Sequence, residues 1–311
     1  MLFVLFLLSI YLSYFSVKER SHVSDAIVFN SNLTGLIFIC MVVDSKHRGA
    51  IVEMANKRMG PSNIGEASAK YNLAACRIQK NLSTILLNIF CFLNTPQKFE
   101  KAASSLTVVF KNHLSAKTCN KTHAAHITTN TIFATKFAII RDPVERFLSG
   151  FVDKCIHEAE NKNSRCYGCN KNVICVLQKQ YERFKLIADN KLSNFSYEDR
   201  HFAPMSWFCD FDTETIKNYR FLYFGETAEK QSETIDELMD ILLTHGVSNK
   251  TISHIHNELS ANRTMHSTSG SAIREKVEYN MRRNTEAMKW LRLLYENDYR
   301  VFKLKSPFSL Q

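Results

Sequence analysis

The chain opens on an apolar run from Leu2 to Val17, broken only by hydroxyl-bearing side chains and closed by Lys18-Glu19-Arg20. The pattern is then mixed as far as Tyr71, with a strand-like stretch at 36–43 and a turn signal at Gly60-Pro61-Ser62-Asn63. Beyond it, short apolar runs alternate with helical periodicity. Residues 73–78 predict a strand, and 84–93 an apolar helix that ends before Pro96. Residues 106–110 predict a second strand and 136–140 a third. The helix after that third strand has the strongest start signal: Asp142 can cap it, Pro143 suits its first position and Glu145 its third. A further strand is predicted at 219–224 and a helix at 235–243. The C-terminal pattern is helical over 273–281 and again over 285–299, where Met288, Leu291, Leu294 and Tyr295 recur at helical spacing. Strands alternating with helices predict an α/β fold with a mainly parallel sheet flanked by helices. There is no internal repeat and no low-complexity tract.

The N-terminal run is short for a membrane-spanning helix, which needs about 20 residues. It also lacks the basic n-region and small-residue cleavage site of a secretory signal peptide. Lys18 and Arg20 on its C-terminal side argue, by the positive-inside rule, against a lumenal tail. The residues alone leave an uncleaved anchor, a cleaved signal and a buried core helix open. The chain therefore divides into a signal-anchor or signal segment (1–20), a stem (21–69) and a single compact domain (70–305).

With 40 basic and 30 acidic side chains the formal net charge is +10, which points to an anionic partner. The basic residues are scattered, with no Lys/Arg tract of the kind that marks a nucleic-acid tail, so no nucleic acid is expected. The chain has nine cysteines, and Cys155, Cys166, Cys169 and Cys175 crowd into one short stretch. That density favours disulfides and a secretory route over zinc, because the single CxxC at Cys166–Cys169 lacks a paired second one. Glycosylation sequons stand at Asn32, Asn81, Asn120, Asn194, Asn249 and Asn262. The Asn81 sequon is expected to stay unmodified, because it falls inside a candidate ligand-binding segment.

That segment, Cys76-Arg77-Ile78-Gln79-Lys80-Asn81-Leu82-Ser83-Thr84, joins a predicted strand to a predicted helix. A helix N-terminus offers unpaired N–H groups and partial positive charge to a phosphate. Lys80 adds a full charge, and Ser83 and Thr84 add hydroxyl donors. The glycines of the nucleoside-triphosphatase pattern GxxxxGK[ST] are absent, which argues against a P-loop kinase or NTPase. A second corner, Arg141-Asp142-Pro143-Val144-Glu145-Arg146-Phe147-Leu148-Ser149, has the same strand-to-helix form. Arg141 ends the strand, where a guanidinium can grip phosphate bidentately, and Arg146 and Ser149 share a helix face. Either corner alone can be an ordinary capped helix start. Two of them suggest a ligand with two separated phosphate groups.

The pair resembles the nucleotide signature of Golgi sulfotransferases that use 3′-phosphoadenosine 5′-phosphosulfate (PAPS). More narrowly, it is similar to the carbohydrate sulfotransferase branch that contains the chondroitin and HNK-1 enzymes, in a form expanded in nematodes. The likeness continues through Asp199-Arg200-His201-Phe202-Ala203-Pro204 with Cys209, Phe224-Gly225-Glu226-Thr227, and Asp298-Tyr299-Arg300-Val301-Phe302. It implies a P-loop-like sheet in a single sulfotransferase domain. It also implies that Arg77, Lys80, Asn81, Leu82, Ser83 and Thr84 hold the 5′-phosphosulfate, and that Arg141 and Ser149 hold the 3′-phosphate. Lys80 is then suited to stabilise the leaving phosphate oxygen. His201 is the first candidate for the base, with His126 and Glu226 in reserve, and no metal is required. The implied acceptor is a glycan, most simply a chondroitin-type glycosaminoglycan. The implied location is the Golgi membrane, single-pass type II, or the exterior after signal cleavage. An inactive, secreted glycan-binding protein is the competing expectation.

Overall fold

The computed structural model describes residues 64–103, 105–107, 124–126, 132–158, 165–209, 211, 215–261 and 270–308. The apolar N-terminal run and the expected strand at 36–43 lie outside these residues. Among the described residues, no helix is long and apolar enough to cross a membrane.

The strands are β1 (Ile64–Ser68), β2 (Leu73–Cys76), β3 (Ala124–His126), β4 (Thr135–Arg141) and β5 (Tyr219–Phe224), in the five-stranded order β3-β1-β2-β4-β5. β2, β4 and β5 run parallel, in register from Leu73 opposite Thr135 and from Lys136 opposite Tyr219. β1 pairs antiparallel with β2 and with β3. The α/β expectation holds, with a parallel centre and an antiparallel edge. The sheet also begins at Ile64, upstream of the position near residue 70 where the apolar pattern places the start of the compact domain. β1 is too short and too mixed (Ile-Gly-Glu-Ala-Ser) to announce itself, and its Glu66 is fully buried. The strand expected at 106–110 does not form at its start, for Leu106 and Thr107 lie in a turn; the remainder falls outside the described residues.

Helices α1 (Ser83–Asn94), α2 (Pro96–Ala102), α3 (Pro143–Phe151), α4 (Val173–Ala188), α5 (Tyr197–Phe202), α6 (Ala228–Thr244), α7 (Asn249–Ala261), α8 (Ala272–Arg282) and α9 (Thr285–Val301) cover the sheet. Strand periodicity explains how. β4 is buried almost throughout, as a central parallel strand must be. Its Phe137 and Ile139 point into one core with Leu86 and Phe90 of α1, Leu242 of α6 and Ile255 of α7. Its Ala138 and Ile140 point into the other, with Phe147 of α3, Phe184 of α4, and Leu291 and Tyr295 of α9. Alternation with period two thus makes three layers.

The cysteine cluster resolves into disulfides, Cys155–Cys166 and Cys169–Cys175. A third, Cys76–Cys209, ties the end of β2 to a residue 133 positions away, with Cα atoms 6.0 Å apart. Cys91 is also disulfide-bonded.

Candidate active site

The two corners leave the C-terminal ends of adjacent strands, β2 and β4, which is where open α/β sheets place their ligands. The first corner is strained. Lys80 and Leu82 both take left-handed backbone, at φ 70° and φ 54°, although neither is glycine; each such residue costs on the order of 1 to 3 kcal/mol. The strain turns the chain sharply enough to start α1 without a side-chain cap. The first N–H groups of α1, from Ser83 and Thr84 onward, therefore have no side-chain oxygen of their own to bond.

The other residues of this corner hold it in place. Asn81 is buried: its Nδ2 donates to the Ile139 carbonyl at 2.8 Å and to Met205 Sδ at 3.1 Å, and its backbone N–H donates to the Ile78 carbonyl at 3.1 Å. Both of its donors are thus committed within the chain, so its contribution is to fix the loop. The buried Nδ2 is also the atom that a glycan would have to reach. Arg77 is paired with Glu66 of β1 at 2.8 Å. Burial lifts the Glu66 carboxyl to about 7 despite this partner.

Lys80 is nearly buried and its Nζ lies 2.9 Å from Asp153 Oδ2. Asp153 belongs to a π-helical turn, Val152–His157, that continues α3. Lys154 of the same turn reaches the same oxygen at 2.9 Å and also bonds Glu158. Burial lowers the Lys80 pKa, Asp153 works against it, and Lys154 and Arg141 reinforce it.

In the second corner Asp142 caps α3, accepting from the Glu145 N–H at 2.9 Å, and its other oxygen accepts from Tyr299 at 2.7 Å. Arg141 is buried, with its guanidinium 5.8 Å from the Phe224 ring centroid and 3.8 Å from Glu145 Oε2. Its Nε is buried without a hydrogen-bond partner. Burial, with Arg274 adding to it, brings the guanidinium down to about 10, which still leaves it charged at neutral pH. Glu145 also bonds Arg274, and Arg282 at 2.6 Å, both from α8. Arg141, Arg274 and Arg282 thus gather around Glu145, and Arg282 also bonds Glu278 at 2.6 Å. Ser149 is buried on α3, one turn beyond Arg146.

Arg146 joins the corners. It is fully buried, with Nε donating to the Gln79 carbonyl at 2.8 Å and Nη1 to the Ala203 carbonyl at 2.7 Å. One side chain thus ties the first loop, the second helix and the segment after α5 together.

His201 sits on α5. That helix is fixed from below by Asp199, which closes a capping box with Ser196 and receives Arg183 at 2.6 Å and 2.9 Å. Burial alone would raise the Asp199 carboxyl, but Arg183 and the Ser196 amide outweigh it and hold it below the ordinary range. Gly150 of α3 lets Phe202 press in: a Cβ there would stand 3.0 Å from the Phe202 ring. His201 Nδ1 lies 2.7 Å from the Tyr197 carbonyl. A carbonyl only accepts, so the neutral ring carries its proton on Nδ1 and keeps a lone pair on Nε2. Burial, with the Lys154 and Lys80 charges behind it, brings the imidazole down to about 4. Lys80, Asp153, Lys154 and His201 are therefore within electrostatic reach of one another.

The reserves fall elsewhere. Glu226 is exposed after β5 and acts on Arg141 and Glu145, so it belongs to the arginine corner. His126 lies in β3, two strands from β2 at the sheet's edge. A cavity of about 550 Å³ opens at the opposite strand ends, beside Thr135, Lys136, Tyr219 and Arg220, away from both corners.

An arginine corner beside a lysine-and-amide corner suits an anion with two separated charges. The model of the Sulfotransferase family matches residues 67–305. The chain is 31% identical to carbohydrate sulfotransferase chst-1 of Caenorhabditis elegans over 246 residues, 77% of this chain and 74% of that protein. It is 29% identical to the putative sulfotransferase vep-2 of the same organism over 220 residues, 66% of this chain and 65% of that protein. No solved structure matches. The chain belongs to the sulfotransferase family.

Proposed function

We propose that this protein transfers a sulfuryl group from PAPS to a hydroxyl of a glycan, with a chondroitin-type glycosaminoglycan as the acceptor. The observation that carries the reading is the pairing of the two corners on adjacent strand ends. One supplies uncapped helix N–H groups and Lys80; the other supplies Arg141, whose buried Nε has no hydrogen-bond partner among the described residues. Those residues fit a 5′-phosphosulfate and a 3′-phosphate respectively. The +10 charge of the chain suits both an anionic donor and an acidic acceptor.

PAPS supplies the sulfuryl group. The chain's own residues bind and orient it, with the α1 amides, Ser83 and Thr84 at one end and Arg141 and Ser149 at the other. Lys80 is placed to neutralise charge on the departing phosphate oxygen. Such a donor is worth roughly 3 to 4 kcal/mol by comparison with an oxyanion-hole group. His201 Nε2 carries the free lone pair, and it takes the proton of the acceptor hydroxyl. No metal enters this scheme. We place the enzyme in the Golgi as a single-pass type II membrane protein, on its N-terminal apolar run and its sequons.

The test is incubation of the intact chain with sulfate-labelled PAPS and a panel of chondroitin, dermatan, heparan and HNK-1-type acceptors. Labelled chondroitin is the expected result. Transfer to another glycan would move the acceptor assignment. Binding of the desulfated nucleotide and of glycans, without transfer to any of them, would establish an inactive glycan-binding protein instead.

A further inference from the structure

Lys80 cannot be described without Asp153, a residue that no corner motif contains. Asp153 is 3% exposed and sits in the π-helical turn directly after α3. A π turn inserts an extra residue per turn and re-aims the side chains on it, and such turns collect at functional sites. Here it aims one carboxylate oxygen at two ammonium groups, Lys80 and Lys154, each 2.9 Å away.

Among the described residues, the titratable groups facing Lys80 come from three elements. Asp153 and Lys154 face it from the π turn, Arg141 from the end of β4, and His201 from α5. Among the described residues that act on the Lys80 charge, Asp153 is the negative one. Lys154 is shared with Glu158, so part of its charge is answered elsewhere. Without the carboxylate, the charged groups left acting on the buried Lys80 ammonium among the described residues would be Lys154 and Arg141.

We infer that Asp153 is the positioning residue for Lys80: it holds the ammonium at the mouth of the first corner and keeps it charged until the donor's leaving oxygen competes for it. The role in transfer rests on the proposed sulfotransferase reading; the hold on Lys80 does not. Burial and the neighbouring cations already lower the Lys80 pKa, and Asp153 is the group that opposes them.

The hold can therefore be read without turnover. In the intact folded chain, the pH dependence of Lys80 acylation, followed by mass spectrometry of the peptide that carries it, reports the fraction of free amine. Asp153→Asn is expected to move the acylation midpoint down by a pH unit or more, and Asp153→Glu to leave it near the parent value. A loosened or unfolded site gives the opposite sign, because an exposed lysine returns upward toward its ordinary value. An unchanged or raised midpoint in Asp153→Asn overturns the proposal. With PAPS and an acceptor, the same variant should lose at least tenfold in kcat, and the alkaline limb of its pH profile should move down. Its affinity for adenosine 3′,5′-bisphosphate should stay within about threefold of the parent, a small change on the scale of a lost charged contact. A downward midpoint with no transfer by the parent chain upholds the Asp153 assignment and removes the enzyme reading. An unchanged midpoint with normal transfer does the reverse.

Discussion

Lys80 combines burial, left-handed backbone and a carboxylate partner, and each of these bears on how it acts. Its charge is held in a dry corner, where, on the proposed reading, it would stabilise developing negative charge more strongly than it would in water. Replacing Lys80 by alanine is expected to lower kcat about 10²- to 10³-fold, the loss seen for a single oxyanion donor. Affinity for the desulfated nucleotide should change far less, and steady-state kinetics with binding calorimetry separate the two. His201 gives a second prediction at this scale. Its folded-state value of about 4 lies below that of an unfolded histidine. Between roughly pH 6.5 and 4 the unfolded chain therefore takes up a proton that the folded chain refuses, so stability falls as pH drops through that window. His201→Gln should make the fall shallower in denaturant titrations at pH 4.5 and 6.5. It should also cost about 10²- to 10⁴-fold in kcat if the ring is the base.

At the scale of elements, the site depends on ties that link segments far apart in the chain. Arg146 bonds carbonyls at Gln79 and Ala203. Arg146→Met removes both donors and leaves buried acceptors unmet, an expected loss of about 2 to 6 kcal/mol in denaturant unfolding at one to three for each. The Cys76–Cys209 bridge closes a loop of 133 residues. Replacing both cysteines by serine should lower the unfolding free energy by about 4 to 5 kcal/mol on loop entropy, with a matching fall in Tm under non-reducing conditions. These ties mark the limit of what the sequence discloses. Arg141, Asp142, Pro143 and Glu145 are legible because a cap, a proline and a strand end follow one another locally. α6, α8 and α9 are legible because their apolar residues recur with helical period. Arg274 and Arg282 are not, because they reach Glu145 from α8 across more than a hundred residues and look like ordinary surface arginines in the one-dimensional pattern. Arg146 reads as half of an Arg/Ser helix face, whereas its full burial follows from where Gln79 and Ala203 fall in space. Asp153 lies just past the recognisable string, and its importance comes from a π turn that no spacing rule announces. β1 escapes for a similar reason: its strand form is supplied by pairing with β2 and β3, not by its own composition.

For the whole molecule, three layers place the two candidate corners on neighbouring strand ends, with α5 bringing His201 to the lysine side and α8 bringing arginines to the other. The arrangement is specific about charge separation. On the proposed reading, a nucleotide with phosphate groups at both its 3′ and 5′ positions engages both corners, while one lacking the 3′ group engages only one. The most direct measurement is therefore the affinity of the intact chain for adenosine 3′,5′-bisphosphate against adenosine 5′-phosphate, repeated in Arg141→Ala. The bisphosphate should bind at least tenfold more tightly to the parent chain, consistent with about 1.5 to 3 kcal/mol for a hydrogen bond to a charged group. That preference should collapse in the variant while 5′-phosphate binding persists. Equal affinities in the parent chain, or a preference that survives the loss of Arg141, would contradict the assignment of the two corners to the two ends of one nucleotide.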